Sequence, residues 1–385
     1  MQTQRIPILI FAQSGRFLAQ SATQAGYTAW VADCFGDTDL LAVAERWQPL
    51  EPFAELTQAS IFASLSMLTR GEQCMLLCGS GIEYCYHLLF PLPANIHLIG
   101  NTVDTIHKLK TPALFFDILE QLALTYPNTQ FETPGNDFTW LKKQATGLGG
   151  THIQYAGSGR DKVRTESYYQ HFISGSSGSC LFLADGYQAH IVSINQQFLA
   201  PDRQTPFRLG RIESAWQLSK YQSSCIHDAI NQLTAATALV GLNSLDFIIA
   251  NNNELFILEV NPRVSASAEL INNKSTLLHQ HLDACLGQLP TPQNAINHTR
   301  ASLFYHYATS DLIVPEDMLW PAECHDIPNC GLIIKQGEPI CTSCIELADN
   351  DSAMRLHKLI EQNILKQLII ATSKTVRSGP YLGSS

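Results

Sequence analysis

Residues 239–270 read LVGLNSLDFIIANNNELFILEVNPRVSASAEL, two apolar runs flanking three consecutive asparagines. The pattern predicts a β-hairpin that turns at Asn251–Asn253. In its second strand Phe256, Leu258 and Val260 alternate with Leu255, Ile257, Glu259 and Asn261, so Glu259 and Asn261 share a face, roughly 7 Å apart. If the turn closes with an even loop, Asp246 lands on that face as a diagonal cross-strand neighbour of Glu259. Two carboxylates and an amide oxygen then cluster, the kind of donor set that Mg²⁺ takes beside nucleotide phosphates. The plainer alternative is a hairpin whose polar residues face water. Against it, Asp246 and Glu259 sit inside the most apolar runs of the region, where an unpaired buried carboxylate is costly.

The LDF of Leu245–Phe247 and the later ELFILEVNPR, residues 254–263, resemble the C-terminal lobe of the ATP-grasp superfamily. Its members join a carboxylate to an amine or another nucleophile through an acyl phosphate. The resemblance implies ATP and Mg²⁺ (or Mn²⁺) as cofactors. It implies Asp246, Glu259 and Asn261 as metal ligands and Arg263 as a catalytic contact to phosphate or the acyl phosphate.

At 385 residues the chain has room for two or three domains. Its 34 acidic and 24 basic residues give a formal charge of −10 and leave no basic stripe for a phosphate backbone, so small molecules are expected as partners rather than nucleic acid. Eleven cysteines, an odd set in apolar surroundings, and an N-terminus without a signal-peptide pattern point to a reducing cytoplasm. No apolar run approaches the ~20 residues that span a bilayer. Nothing here fixes the assembly, and a homodimer stays open.

Upstream, the apolar run Ile6–Ala12, the turn Gln13-Ser14-Gly15-Arg16, a helical pattern to Gly26 and a strand over residues 28–32 form a βαβ unit. The Gly-x-Gly-x-x-Gly fingerprint of a dinucleotide site is missing. Further strands are expected at Cys74–Cys78 and Ile96–Ile99, which closes a doubly wound domain near residue 105. The S-G-R, A-G-Y and D-C-F-G-D-T-D runs resemble the domain that precedes the grasp in a bacterial and archaeal branch of cofactor-making ATP-grasp ligases. Ser14 and Arg16 are therefore candidate substrate contacts; the alternative is a helix N-cap and a solvated first-turn arginine.

Three stretches carry the nucleotide residues that the resemblance implies. Leu109-Lys110-Thr111-Pro112 resembles the first lysine motif, with Leu109 where the family has an acidic residue, and a surface lysine is the alternative for Lys110. Lys143, in a strand before Gly147-Leu148-Gly149-Gly150, matches the lysine of the lid lobe, and Gly149 and Gly150 allow a loop to lie close to phosphates. Gln170, His171, Phe172 and Ile173 match the hinge that holds adenine by backbone groups, with Gln170 in place of the usual glutamate. Plain strand core is the alternative for Phe172 and Ile173.

After the Pro-rich break at residues 289–292, the run DIPNCGLIIKQGEPICT, residues 326–342, resembles the β-rich C-terminal domain of ligases related to biotin carboxylase. Cys324, Cys330, Cys341 and Cys344 raise the question of a zinc site; the five-residue gap between the first two favours buried reduced thiols. The expected fold class is α/β with α+β lobes: a doubly wound domain to residue 105, a two-lobed ATP-grasp over 106–290 that divides near 172, a small C-terminal domain over 291–372 and a flexible tail over 373–385. The expected activity is a carboxylate–amine ligase, with an amino acid such as glutamate added to an amine such as tyramine in one-carbon cofactor synthesis of the methanofuran or methanopterin type. Bicarbonate activation, as in biotin carboxylase, and a non-catalytic ATP sensor are the alternatives.

Overall fold

A computed structural model of the chain describes residues 5–135, 137–157, 167–291, 300–346 and 349–378. The first domain is a parallel sheet of β1 (Ile8–Phe11), β2 (Ala29–Asp33), β3 (Arg46–Pro49), β4 (Cys74–Cys78) and β5 (Ile96–Leu98) in the order β3-β2-β1-β4-β5. Every residue of β1 and β2 is buried, as expected for central parallel strands covered on both faces. Helices α1 (Arg16–Gln24), α2 (Thr38–Leu41), α3 (Gln58–Thr69) and α4 (Ile82–Cys85) connect them.

Two helices, α5 (Val103–Lys110) and α6 (Pro112–Gln121), lead out of this domain and break at Thr111, because Pro112 cannot extend a helix that precedes it. A small antiparallel sheet follows, β6 (Thr129–Gln130), β7 (Trp140–Gln144), β8 (Gln154–Tyr155) and β9 (Ser167–His171), in the order β6-β9-β7-β8. The chain then enters an antiparallel sheet built first from β10 (Gly175–Asp185), β11 (Ala189–Leu199), β12 (Leu209–Glu213), β13 (Val240–Ala250) and β14 (Leu255–Asn261). Helix α7 (Lys220–Thr237) sits between β12 and β13, and α8 (Lys274–Cys285) follows the hairpin. A capping box at Ser219 and Gln222 starts α7, a motif whose cap is worth about 1 kcal/mol.

Strand alternation gives this sheet two apolar faces. Cys180, Phe182 and Ala184 of β10 join a core with α6 and α7, while Leu181 and Leu183 join one shared with β1, α1 and α8. The second core ties the sheet to the first domain.

The C-terminal strands do not form a sheet of their own. β15 (Ala301–Tyr307) pairs with β12, and β17 (Cys324–His325) and β19 (Pro339–Glu346) continue outward, so the large sheet runs β14-β13-β10-β11-β12-β15-β19-β17. Of the C-terminal strands among the described residues, only β16 (Leu312–Ile313) and β18 (Ile333–Ile334) pair apart from it. The last helix, α9 (Asn350–Ser378), runs past Ile370, through the first residues of the expected tail; residues 379–385 of that tail lie outside the described residues.

Candidate active site

The β13–β14 hairpin carries the expected acidic face, by a different register. Asp246 stands directly opposite Glu259, not diagonal to it, and Ser244 stands opposite Asn261. The reason is a β-bulge at Leu258: Asp246 pairs with Glu259 while Phe247 already pairs with Ile257. The extra residue resets the parity of β14. Leu255, Ile257 and Val260 all point into the core with α6 and α7, while Glu259 and Asn261 turn to the other face with Asp246. Without the bulge, strict alternation would send Glu259 to the same side as Leu255 and Ile257.

On that face the Asn261 amide donates to Asp246 Oδ2 at 3.1 Å, and the Gln197 amide donates to Asp246 Oδ1 at 3.3 Å. Lys110, the last residue of α5, donates to Asn261 Oδ1 at 2.8 Å and to Glu259 Oε2 at 3.3 Å, with its side chain 7 % exposed. Lys110 is thus no surface lysine, in contrast to Lys108, which pairs with Asp104 in the open. The two carboxylates split. Burial and the neighbouring Glu259 push Asp246 up to about 7. For Glu259 burial acts upward too, but Lys110, His152 and Lys143 outweigh it and bring the carboxyl down to about 2.

Opposite the hairpin, β7 alternates so that Leu141 and Lys143 turn inward. Lys143 donates to Gln170 Oε1 at 2.7 Å, and Gln170 in turn donates to Thr129 at 3.1 Å. Burial lowers Lys143 to about 8, against the pull of Glu259 and Asp246. Gln170 therefore fixes the lysine, and as a neutral amide it leaves the ammonium uncompensated within the small sheet.

The glycine loop is folded onto the segment before β12: Leu209 N–H donates to Gly149 C=O at 2.9 Å. Gly150 has φ +74°, and a Cβ there would come within 2.0 Å of the Phe207 carbonyl oxygen, so only glycine fits. The Phe207 ring meets Tyr155 and Phe172, which links the loop to the hinge. His171 packs edge-on against Trp140, and the Ile173 N–H has no backbone partner among the described residues.

Arg263 lies at the end of the hairpin and is nearly buried. It donates to Glu83 of the first domain at 2.8 Å, and its charge reaches Asp246. Ser14 and Arg16 belong to a different group. Gly15, not Ser14, takes the N-cap position of α1, and Arg16 is fully buried rather than solvated. Arg16 donates to Asp326 at 3.0 and 2.9 Å and to Glu269 at 2.6 Å, and Ser14 donates to Asp326 at 3.3 Å.

Two residues escaped sequence reasoning. His152 is half-buried, and its Nδ1, shut off from solvent, has no partner among the described residues; burial, with help from Lys143 and Lys110 and against Glu259, lowers it to about 4. Gln197 was hidden because its partner Asp246 lies two strands away. The position of His152 just after the glycine run was the only available signal for it. Cys324 and Cys341 are buried and Cys330 is exposed, and among the described residues no group of three or more His, Cys, Asp or Glu side chains is placed to hold a metal.

Residues 105–267 match the family model of the ATP-grasp domain. The whole chain is similar in fold to biotin carboxylase from Campylobacter jejuni, with a TM-score of 0.68 at 13% identity over 94% of this chain and 92% of that one. An L-amino acid ligase from Bacillus licheniformis aligns with a TM-score of 0.68 at 14% identity over 94% of this chain and 98% of that one. N5-carboxyaminoimidazole synthetase from Staphylococcus aureus, complexed with ADP, gives 0.66 at 13% over 92% and 97%. No curated protein matches the sequence. The buried lysine of the small sheet, the carboxylate hairpin opposite it and the matched model agree: residues 105–267 of this chain form an ATP-grasp domain.

Proposed function

We propose that the chain is an ATP- and Mg²⁺-dependent ligase that forms an amide bond between a carboxylate and an amine through an acyl phosphate. The observation that carries this reading is the convergence of Asp246, Glu259 and Asn261 with Lys110, faced by the charge of Lys143.

The donor set suits a hard cation. Asp246 is held above its ordinary pKa by burial and Glu259, so it is short of positive charge, and Glu259 and Asn261 already grip an ammonium. Bound there by Asp246, Glu259 and Asn261, Mg²⁺ would supply charge neutralisation for the phosphoryl group. Lys110 and Lys143 supply fixed positive charge to phosphate oxygens. The hinge at His171–Ile173 offers backbone groups to adenine beside the ring of Phe172. Arg263, oriented by Glu83, would meet the activated carboxylate.

Within this class we infer an amino acid such as glutamate and a small amine such as tyramine as substrates, in one-carbon cofactor synthesis; the support is the sequence resemblance of the N-terminal runs. Bicarbonate activation has only the likeness of fold behind it. A reducing cytoplasm suits the cysteines, all eleven of which are free thiols. Among the described residues no helix is long and apolar enough to cross a membrane.

The test is an ADP-release screen over amino acids and amines in pairs, glutamate first, with Mg²⁺. Release that needs both partners, with an amide product by mass spectrometry, is the expected result. Release dependent on bicarbonate alone would overturn the reading.

A further inference from the structure

Five carboxylates gather where the three parts of the chain meet: Asp33 at the end of β2, beside Asp37, and around Arg16 the carboxylates of Asp37 and Asp39 after β2, Glu269 after β14 and Asp326 after β17. Four of them are served by donors. Asp33 accepts from the N–H groups of Gly15 and Gly36, each at 3.0 Å, and from the Trp47 indole at 2.8 Å. Asp39 accepts from the N–H groups of Asp326 at 3.1 Å and Ile327 at 3.0 Å. Asp326 holds Arg16, Ser14 and, at 2.6 Å, the Thr342 hydroxyl, and Glu269 holds Arg16.

Asp37 is the exception. It is 6 % exposed, it stands at the N-cap position of α2 without making a capping bond, and among the described residues no donor reaches its carboxylate. Burial, then Asp326, Asp33 and Asp39, push its carboxyl up to about 8 against Arg16. A carboxylate so buried and without a donor is costly unless something brings both N–H groups and positive charge to it. Beside it, the side chains of Asp39 and Asp326 are 21% and 22% exposed.

The surroundings narrow what that something is. An anion is excluded, because the five acids outnumber Arg16 and Lys274, the latter acting on Glu269. No grouping of three or more protein ligands suits a bare metal ion among the described residues. A primary ammonium fits, because it is compact, positive and carries three N–H donors. The cluster and Arg263 have Tyr305 in common, since the charges of Glu269, Asp326 and Arg263 all act on it.

We propose that Asp37, flanked by Asp39 and Asp326, is the ammonium-binding subsite of this ligase for its amine or amino-acid substrate. The inference rests on the ligase reading given above. Asp37 would be a positioning residue for the substrate, and it holds the one carboxylate of the cluster without a fold partner.

The experiment has two arms. In the first, the melting temperature of the full chain is measured in methylammonium chloride and in tetramethylammonium chloride, which has the same charge and no N–H donor, at equal ionic strength. Wild type should melt higher in methylammonium, and Asp37→Asn should lose that difference. Equal responses to the two salts, or a variant that responds like wild type, would overturn the proposal. Asp37→Ser, a residue favoured at the N-cap position, stands in if the asparagine variant folds poorly.

In the second arm, Asp37→Asn is assayed on the substrates found by the ADP screen. The KM of one ammonium-bearing substrate should rise about 10- to 100-fold while the KM for ATP stays put. A rise for the amine alone identifies the amine as the occupant, and a rise for the amino acid alone identifies its α-ammonium. No rise for either sinks the subsite. If no substrate pair releases ADP, the ligase reading fails, and the melting arm still decides on the subsite.

Discussion

Two polar clusters in this protein handle charge in opposite ways. At the hairpin, Asp246 and Glu259 face two lysines, and cation and anion nearly balance: Lys110 bridges Glu259 and Asn261, and Lys143 adds a second ammonium within reach. At the three-domain junction Arg16, with Lys274 acting on Glu269, lies among five acids, and one acid is left without a donor. A balanced cluster would be able to exchange its lysine contacts for the metal and phosphate of the proposed reaction. The unbalanced one has its charge fixed by the fold and keeps a net attraction for cations. The difference also separates what each holds together, since the hairpin cluster lies within the grasp while Arg16 joins all three parts of the chain.

Each half of this comparison can be broken by mutation. The largest effect is expected from Arg16→Met, which leaves Asp326 and Glu269 without their shared cation; removal of one partner of a buried ion pair costs about 3–5 kcal/mol. Urea denaturation should show that loss, and a change under 1 kcal/mol would mean that Arg16 is not the joint between the domains. Next comes Glu259→Gln, which keeps the shape and removes the charge. The fold should survive by circular dichroism while ADP release falls by about two to three orders of magnitude, and normal turnover in a folded variant would end both the metal assignment and the mechanism.

A smaller effect is expected at the small sheet. Lys143→Ala should weaken Mg²⁺–ATP binding by calorimetry at least tenfold, since a charge-assisted bond to phosphate is worth about 1.5–3 kcal/mol. Unchanged affinity would remove Lys143 from the nucleotide site. The smallest is a slope with pH. Burial and its acidic neighbours raise Asp37 from 3.8 to about 8, so between these values the native state keeps a proton that the unfolded chain has lost. The stability associated with this group is therefore present at low pH and falls as pH rises through that window. Asp37→Asn should flatten the fall, so that the variant gains on wild type from pH 4 to pH 8 in parallel urea titrations. A gain in the opposite direction would show that a donor reaches Asp37 in solution.

Much of the hairpin site was written locally. Asp246, Glu259, Asn261 and Arg263 lie within one short stretch, and period-two alternation was enough to put Glu259 and Asn261 on one face. Alternation was not enough to place Asp246, because the bulge at Leu258 is a choice of the packed sheet: Ile257 and Val260 both bury against α6 and α7, and one extra residue lets them do so while Glu259 still faces outward. The βαβ pattern of the first domain was legible for the same local reason, since fully buried parallel strands are continuous apolar runs. The partnership of Gln197 with Asp246, by contrast, depends on strand order, which no local pattern contains.

The junction cluster marks the other limit. The sequence by itself determined that Arg16 begins a helix, that Asp33, Asp37 and Asp39 follow a strand, and that Asp326 precedes a β-rich segment. Only the tertiary structure decided that these meet, and that β15 and β19 extend the large sheet to bring Asp326 onto α1. The physical reason is range. Alternation, caps and turn residues act between near neighbours along the chain, whereas the pairing of Arg16 with Asp326 follows from how whole sheets pack, and its strength exists only once both groups have been taken out of water.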